Sequence, residues 1–177
     1  MKRLPLAALA TLLVALFDQL SKWWVVSNLD LYESIYPIPA LSHIFAITHL
    51  TNTGAAFGLL QEAGAFFTVA SIVITIIILV YLRRIPPERW LTRIALGMVV
   101  GGALGNLVDR LRLGYVIDFI DFSFFAKFNV ADSAISVGVV LLFVATWLEE
   151  RSKPATPGET TQVDRERFAT DDAEARG

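Results

Sequence analysis

The sequence predicts a polytopic membrane protein of four transmembrane helices. Three observations predict it. The residues are 55% hydrophobic with a mean hydropathy of +0.57, and the apolar residues are gathered in long runs. Lys and Arg alternate in density between the connecting segments, as they do across a membrane. Carboxylates and amides sit at or beside the ends of the apolar runs, where burial costs roughly 2.5–3.5 kcal/mol per charge on insertion scales and so marks function.

The first run, Leu4 to Phe17, follows Lys2-Arg3. A charged start before a short apolar run is also the pattern of a signal peptide. No Ala-x-Ala-like site follows. Asp18-Gln19-Leu20-Ser21-Lys22 comes instead, and then Trp23 to Val26. The segment is read as an uncleaved first span, about 4–26, with Trp23 and Trp24 at the interface. Residues 27–63 contain no Lys or Arg. Within them Ile44 to Thr51 reads as a strand, and Tyr36 to Ala40, with Pro37 and Pro39, as extended chain.

The second span is 64–82. Its β-branched residues favour strands in water, but a bilayer requires every backbone group to be satisfied internally and imposes a helix. Arg83, Arg84, Arg89 and Arg93 crowd the next connection. The third span is expected at 94–108, with Gly97, Gly101 and Gly105 on one face, a spacing that admits another helix closely. That face serves internal packing or a dimer. Residues 109–131 are expected as a loop and 132–148 as the fourth span. Residues 1–148 would then form one membrane-embedded domain. Residues 149–177, rich in Pro, Thr and charge, would form a disordered cytoplasmic tail. Residues 1–148 hold 10 Lys/Arg and 9 Asp/Glu, and the tail holds 5 and 8, so the net charge of -2 belongs to the tail. The basic clusters put both termini in the cytoplasm and the polar clusters at the outer face. Arg110, Arg112 and Lys127 in 109–131 are a weak exception.

Composition excludes several chemistries. The chain has no Cys, hence no disulfide, no thiolate nucleophile and no Cys-ligated metal. No basic patch points to nucleic acid. Gly-x-Ser-x-Gly, His-Glu-x-x-His and phosphate-loop patterns are missing from the sequence, and His43 and His49 are not expected to form a zinc site.

The remaining candidates are oxygen and nitrogen groups. Asp18 and Lys22 are four apart and share a helix face, as an orienting ion pair or a substrate contact. Asn52-Thr53-Gly54-Ala55-Ala56-Phe57-Gly58 is a small-residue loop. There Gly54 permits close backbone approach and Asn52 can hold a peptide, or the segment is simply a turn. Asn106, Asp109 and Arg110 share a face by their helical offsets, with Arg110 able to fork onto carboxylates. Asp118 and Asp132 are separated by a short connection that could fold back. Two carboxylates about 4 Å apart repel by roughly 4 kcal/mol at an effective dielectric of 20, about three pK units, so near neutral pH they share one proton. Such a dyad takes a proton from water and gives one to a carbonyl. Otherwise Asp132 caps the fourth span and Asp118 pairs with Arg110 or Arg112. Asp121 competes for the dyad. A proton-coupled carrier and a non-catalytic assembly factor are the rival readings.

Taken in order, Asp18-Gln19-x-Ser21-Lys22, Asn52-Thr53-Gly54-Ala55-Ala56-Phe57, Gly101-Gly102-x-x-Gly105-Asn106-x-x-Asp109-Arg110, Val116-Ile117-Asp118-Phe119 and Phe128-Asn129-x-Ala131-Asp132-Ser133 resemble the bacterial lipoprotein signal peptidases, the type II signal peptidases, from about Asp18 to Leu148. The resemblance implies an all-α polytopic membrane protein with a small extracytoplasmic β-cradle and a short surface helix. It implies an intramembrane aspartyl endopeptidase of the bacterial inner membrane. The substrates would be diacylglyceryl prolipoproteins among membrane lipids, cut N-terminal to the lipidated cysteine. It places the catalytic pair on Asp118 and Asp132. Asp18, Lys22, Asn52, Gly54, Asn106, Asp109, Arg110 and Asn129 would bind substrate or support the site. It implies no metal and no cofactor, with water as nucleophile, and cyclic peptide inhibitors of the family's type would bind at the dyad.

Overall fold

A computed structural model describes residues 4–53 and 63–151. Four long helices, α1 (Leu4–Asn28), α2 (Ala63–Leu82), α3 (Trp90–Leu113) and α4 (Val130–Arg151), carry three strands between them, β1 (Ser34–Ile35), β2 (Phe45–Asn52) and β3 (Val116–Phe122). Each helix is long and apolar enough to cross a membrane. The most apolar stretch of α3 is 72% buried, against 11% in α2. α3 is thus the central helix, and the others turn broad apolar faces outward, as lipid permits. The chain divides into two units, 1–145 and 146–177. In the second, the described residues are the last turns of α4, where the Arg151 guanidinium lies 4.0 Å over the Trp147 ring. The expected tail beyond Arg151 lies outside the described residues.

The Gly97/Gly101/Gly105 face is used inside the molecule. A Cβ at Gly97 would meet the Ala7 carbonyl oxygen, and one at Gly105 would meet Asp18 Oδ2. One at Gly101 would sit 2.7 Å from the Thr11 carbonyl oxygen and 2.8 Å from Val14 Cβ. Contacts rise together along both helices, so α1 and α3 run parallel, nearly backbone to backbone. Thr11 Oγ1 donates to Gly97 O across the seam at 2.9 Å. On another side of α3, Gly102 faces Ala131 and Ala95 faces Gly138, so α4 runs antiparallel. Gly101→Leu should therefore force α1 and α3 apart. Overpacking of this kind costs about 1–3 kcal/mol or more. A lowered thermal midpoint of the detergent-solubilised protein is the expected result, and an unchanged midpoint would contradict this packing.

The segment expected as a loop, 109–131, is largely ordered secondary structure. α3 continues to Leu113 and ends on Gly114, whose φ of 82° is left-handed and whose N–H donates to Arg110 O. This is the usual glycine termination of a helix. Polar residues from Asp109 onward do not end the helix, because α1 supplies partners for them. β3 follows and pairs antiparallel with β2, which pairs with β1. The expected strand is β2, while Pro39–Leu41 forms a 3₁₀ turn rather than extended chain. Buried Val25, Leu29 and Phe119 join the end of α1 to the sheet. The sheet, the last turns of α1 and α3 and the first turn of α4 thereby gather at one end of the bundle. Arg83 to Arg93 lie at the other.

Candidate active site

Lys22 is the centre of the buried polar cluster. Its ammonium has three donors and three partners: Asp18 Oδ2 at 2.8 Å, Asp109 Oδ2 at 2.8 Å and Asn106 Oδ1 at 2.9 Å. Asp18, Lys22 and Asp109 are all buried. The i,i+4 pairing of Asp18 with Lys22 is the one their spacing predicts, and α3 adds the second carboxylate. The remaining lone pairs are used. Asp18 Oδ1 accepts the Ala131 N–H at 2.9 Å, and Asp109 Oδ2 accepts the Ile117 N–H at 3.2 Å. Gln19 Nε2 reaches Asp109 Oδ1 at 2.9 Å, Gly105 O at 3.1 Å and Asp18 Oδ2 at 3.3 Å. These bonds tie α1, α3, β3 and α4 into one frame. Gln19 was not singled out in the sequence, although it lies inside the Asp18–Lys22 motif.

Asn106 passes that frame on. Its oxygen accepts from Lys22 and from Asn129 Nδ2 at 3.1 Å, which leaves its Nδ2 to donate to Asp132 Oδ1 at 2.7 Å. Asn129 then links two carboxylates. Its Nδ2 donates to Asp118 Oδ1 at 2.8 Å and approaches Ile117 O at 3.2 Å. Its Oδ1 accepts the Asp132 N–H at 3.0 Å, and its own N–H donates to Asp132 Oδ2 at 3.3 Å. That reciprocal pattern over Asn129-x-x-Asp132 is a capping box. Asn129, not Asp132, is therefore the N-cap of α4. Asp132 stands in the first turn of that helix.

Asp118 reaches the same place from the sheet. Its Oδ2 accepts from Asn52 Nδ2 at 2.9 Å, and it is 3% exposed. The register explains the contact. Phe45↔Phe122 to Ile47↔Ile120 are in one register, and Leu50↔Asp118 to Asn52↔Val116 are shifted by one residue. The extra residue on β2 puts Asn52 on the face of Asp118, where an unshifted ladder would put Thr51. Burial pushes the Asp118 carboxyl above the ordinary carboxylate range. The hydrogen bond from Asn52 opposes this, the Asp132 charge adds to it, and the Asn129 bond and Lys22 charge oppose it. A cavity of about 300 Å³, lined by Leu50, Asn52, Thr53, Asp118, Ala126 and Lys127 among others, opens beside Asp118.

Asp121 belongs elsewhere. It is three residues along β3 from Asp118 and so faces the opposite side. There it accepts from Thr48 Oγ1 at 3.1 Å and pairs with Lys127 Nζ at 3.0 Å. The expected face shared by Asn106, Asp109 and Arg110 is divided. The first two meet α1, whereas Arg110 turns to α2, its Nη1 3.5 Å from Ser71 Oγ and its guanidinium 5.8 Å over Phe67. Among the described residues Arg110 forks onto no carboxylate, and Asp118 pairs with neither Arg110 nor Arg112. Gly54 and Phe57 lie outside the described residues. Among the described residues no cluster of three His or acidic groups has the geometry to hold a metal ion.

A family model described as signal peptidase (SPase) II matches residues 10–148. The lipoprotein signal peptidase of Shewanella pealeana is 44% identical over 154 residues, covering 82% of this chain and 88% of the relative. That of Moorella thermoacetica is 45% identical over 139 residues, covering 78% and 90%. Two solved structures described as bacterial membrane enzymes superpose on this fold. One, at 30% identity, has a TM-score of 0.76 and covers 88% of this chain and 96% of its own. The other, at 32%, has a TM-score of 0.74 and covers 81% and 93%.

Proposed function

The chain belongs to the signal peptidase II family, membrane proteases that remove signal peptides from prolipoproteins, and we propose that it does so by aspartic chemistry at Asp118 and Asp132. It is a multi-pass bacterial membrane protein. The observation that carries the proposal is Asn129, whose Nδ2 donates to Asp118 Oδ1 and whose backbone N–H donates to Asp132 Oδ2. One residue thus reaches both carboxylates, and a cavity opens beside Asp118.

In the proposed reaction the pair shares one proton. Asp118, raised by burial, holds it. Asp132, with Asn106 Nδ2 and the Asn129 N–H on its oxygens, is the ionised base. Asp132 takes a proton from water as the water oxygen bonds to the scissile carbonyl carbon. Asp118 protonates the carbonyl oxygen, and a neutral tetrahedral diol forms. Asp132 then delivers its proton to the leaving nitrogen, the C–N bond breaks, and Asp118 recovers its proton as the new carboxyl forms. Asp18, Lys22, Asn106, Asp109 and Asn129 position the pair. Asn52 and the segment around Gly54 contact the peptide. The proposed cut is N-terminal to the diacylglyceryl cysteine of the substrate. The arginine-bearing end and both termini are cytoplasmic, and the dyad is at the outer face. Cyclic peptide inhibitors would compete for the cavity beside Asp118.

The direct test is a gel-shift assay of the purified protein with a diacylglyceryl prolipoprotein and its unlipidated form. Cleavage of the lipidated substrate alone is expected, and Asp121→Asn should remain active. Binding without cleavage would reject the protease reading, and a dead Asp121→Asn would move the site.

The proposal fixes the sign of the pH dependence. Activity falls on the acid side when both carboxylates are protonated and no base remains. It falls on the alkaline side as Asp118 loses its proton, and burial moves that limb upward. The Asn52 bond favours the ionised form, so Asn52→Ala should shift the alkaline limb of kcat to higher pH. A shift downward would contradict the assignment of the proton to Asp118.

A further inference from the structure

A second site lies at the opposite end of the bundle. A groove of about 530 Å³ runs between α1, α2 and α3, lined by Leu12, Ala15, Leu79, Val100 and other apolar residues, with Arg83 and Arg93 also on its wall. Arg93 is 4% exposed. Its Nη1 donates to Ile85 O at 2.7 Å, but its buried Nε has no hydrogen-bond partner, and among the described residues no carboxylate pairs with it. A guanidinium buried with one carbonyl partner is unfavourable unless an anion joins it. Arg83, at the end of α2, is exposed beside the same groove.

We propose that this groove binds an anionic phospholipid of the surrounding bilayer, with an acyl chain between α1, α2 and α3 and the phosphate on Arg93 and Arg83. Ala7 to Ala15 on α1 and Thr75 to Arg83 on α2 each cover about 12 Å at roughly 1.5 Å per residue, a length that takes part of an acyl chain. Charge decides between a lipid and a helix. The basic start of a signal peptide would meet two arginines, whereas a phosphate accepts their paired N–H donors. The site is separate from Asp118 and Asp132, which stand at the sheet-bearing end.

The test is native mass spectrometry of the full chain released from nanodiscs of phosphatidylcholine and phosphatidylglycerol in equal amounts. Wild type should retain one phosphatidylglycerol, favoured over phosphatidylcholine by about tenfold, the discrimination expected of a charge-assisted contact. Arg93→Gln should abolish that preference. Arg83→Gln, at an exposed position, should weaken it without disturbing the fold, which keeps the test decisive if Arg93→Gln is unstable. Ala15→Phe, which fills the groove, should reduce retention of both lipids. Equal retention of the two lipids by wild type, or an undiminished preference in both arginine variants, would overturn the proposal. So would Ala15→Phe raising KM for a lipidated prolipoprotein with lipid retention unchanged, because the groove would then hold the substrate's own helix.

Discussion

Asp118→Asn and Asp132→Asn should each lower cleavage of a lipidated prolipoprotein by about 10⁴-fold or more, the scale on which catalytic groups that act as a unit are lost. Asn is nearly isosteric with Asp, so each change removes one kind of chemistry. At Asp132 it removes the base, and it also sets an amide against Asn106 Nδ2 and the Asn129 N–H, which already donate there. Its oxygen can still accept one of them. At Asp118 it removes the proton donor, and because Asn52 and Asn129 donate to different oxygens, the amide oxygen can keep only one of their bonds. The two single variants should therefore be equally inactive, and each should melt somewhat below wild type. The double variant should be no slower than either single one, because a dyad missing one member has already lost its function. Gel-shift turnover and thermal melts of the same preparations check all of this. Turnover within tenfold of wild type in either single variant would remove that residue from the chemistry.

The spans were legible because apolar runs of membrane length are a coarse and strong signal, and the acids were legible because charge beside such runs is expensive. The glycine face of α3 was also visible, but its partner was not. Whether Gly101 meets Thr11 or another copy of the chain is decided by packing. β3 was missed for a physical reason. Val116, Ile117, Asp118 and Phe119 are all buried, so the two-residue alternation that betrays a half-exposed strand is erased. The shift in β2 that turns Asn52 toward Asp118 was equally hidden, since register belongs to a pair of strands. Asn129 shows a different failure. Asn129-x-x-Asp132 is a readable capping pattern, yet the sequence reading makes the acid the cap, and Asn129, the residue that reaches both carboxylates, enters only through the family resemblance. Arg110 was placed on the face of Asp109 by helical offset. Its long side chain instead leaves that face for Ser71 and Phe67, a freedom that helical offsets do not encode.

Lys22→Met should be the most damaging single change outside the proposed dyad. It leaves Asp18 and Asp109 buried with the cation between them removed. Breaking a buried pair by deleting one partner costs about 3–5 kcal/mol, a large share of the roughly 5–15 kcal/mol that holds a folded domain together. A strong fall in folded yield and thermal midpoint is expected. Activity should fall further than folding does. Asn106 keeps its Nδ2 on Asp132 because Lys22 and, at longer range, Asn129 occupy its oxygen, and without the ammonium the amide is held less firmly and can misplace the base. A displacement near 1 Å is enough to lose about 10²-fold in rate. Asp18→Asn combined with Lys22→Met separates the two effects. The pair of changes restores the net charge of the cluster, one carboxylate remaining at Asp109, so stability should partly return. Only the longer bond from Asn129 Nδ2 then holds the Asn106 oxygen, so kcat should stay below wild type. Recovery of stability together with full kcat would mean that Lys22 is only a counter-ion. A stable Lys22→Met single variant would mean that the three acceptors around its ammonium are not, in the membrane, the closed set that their 2.8–2.9 Å distances describe.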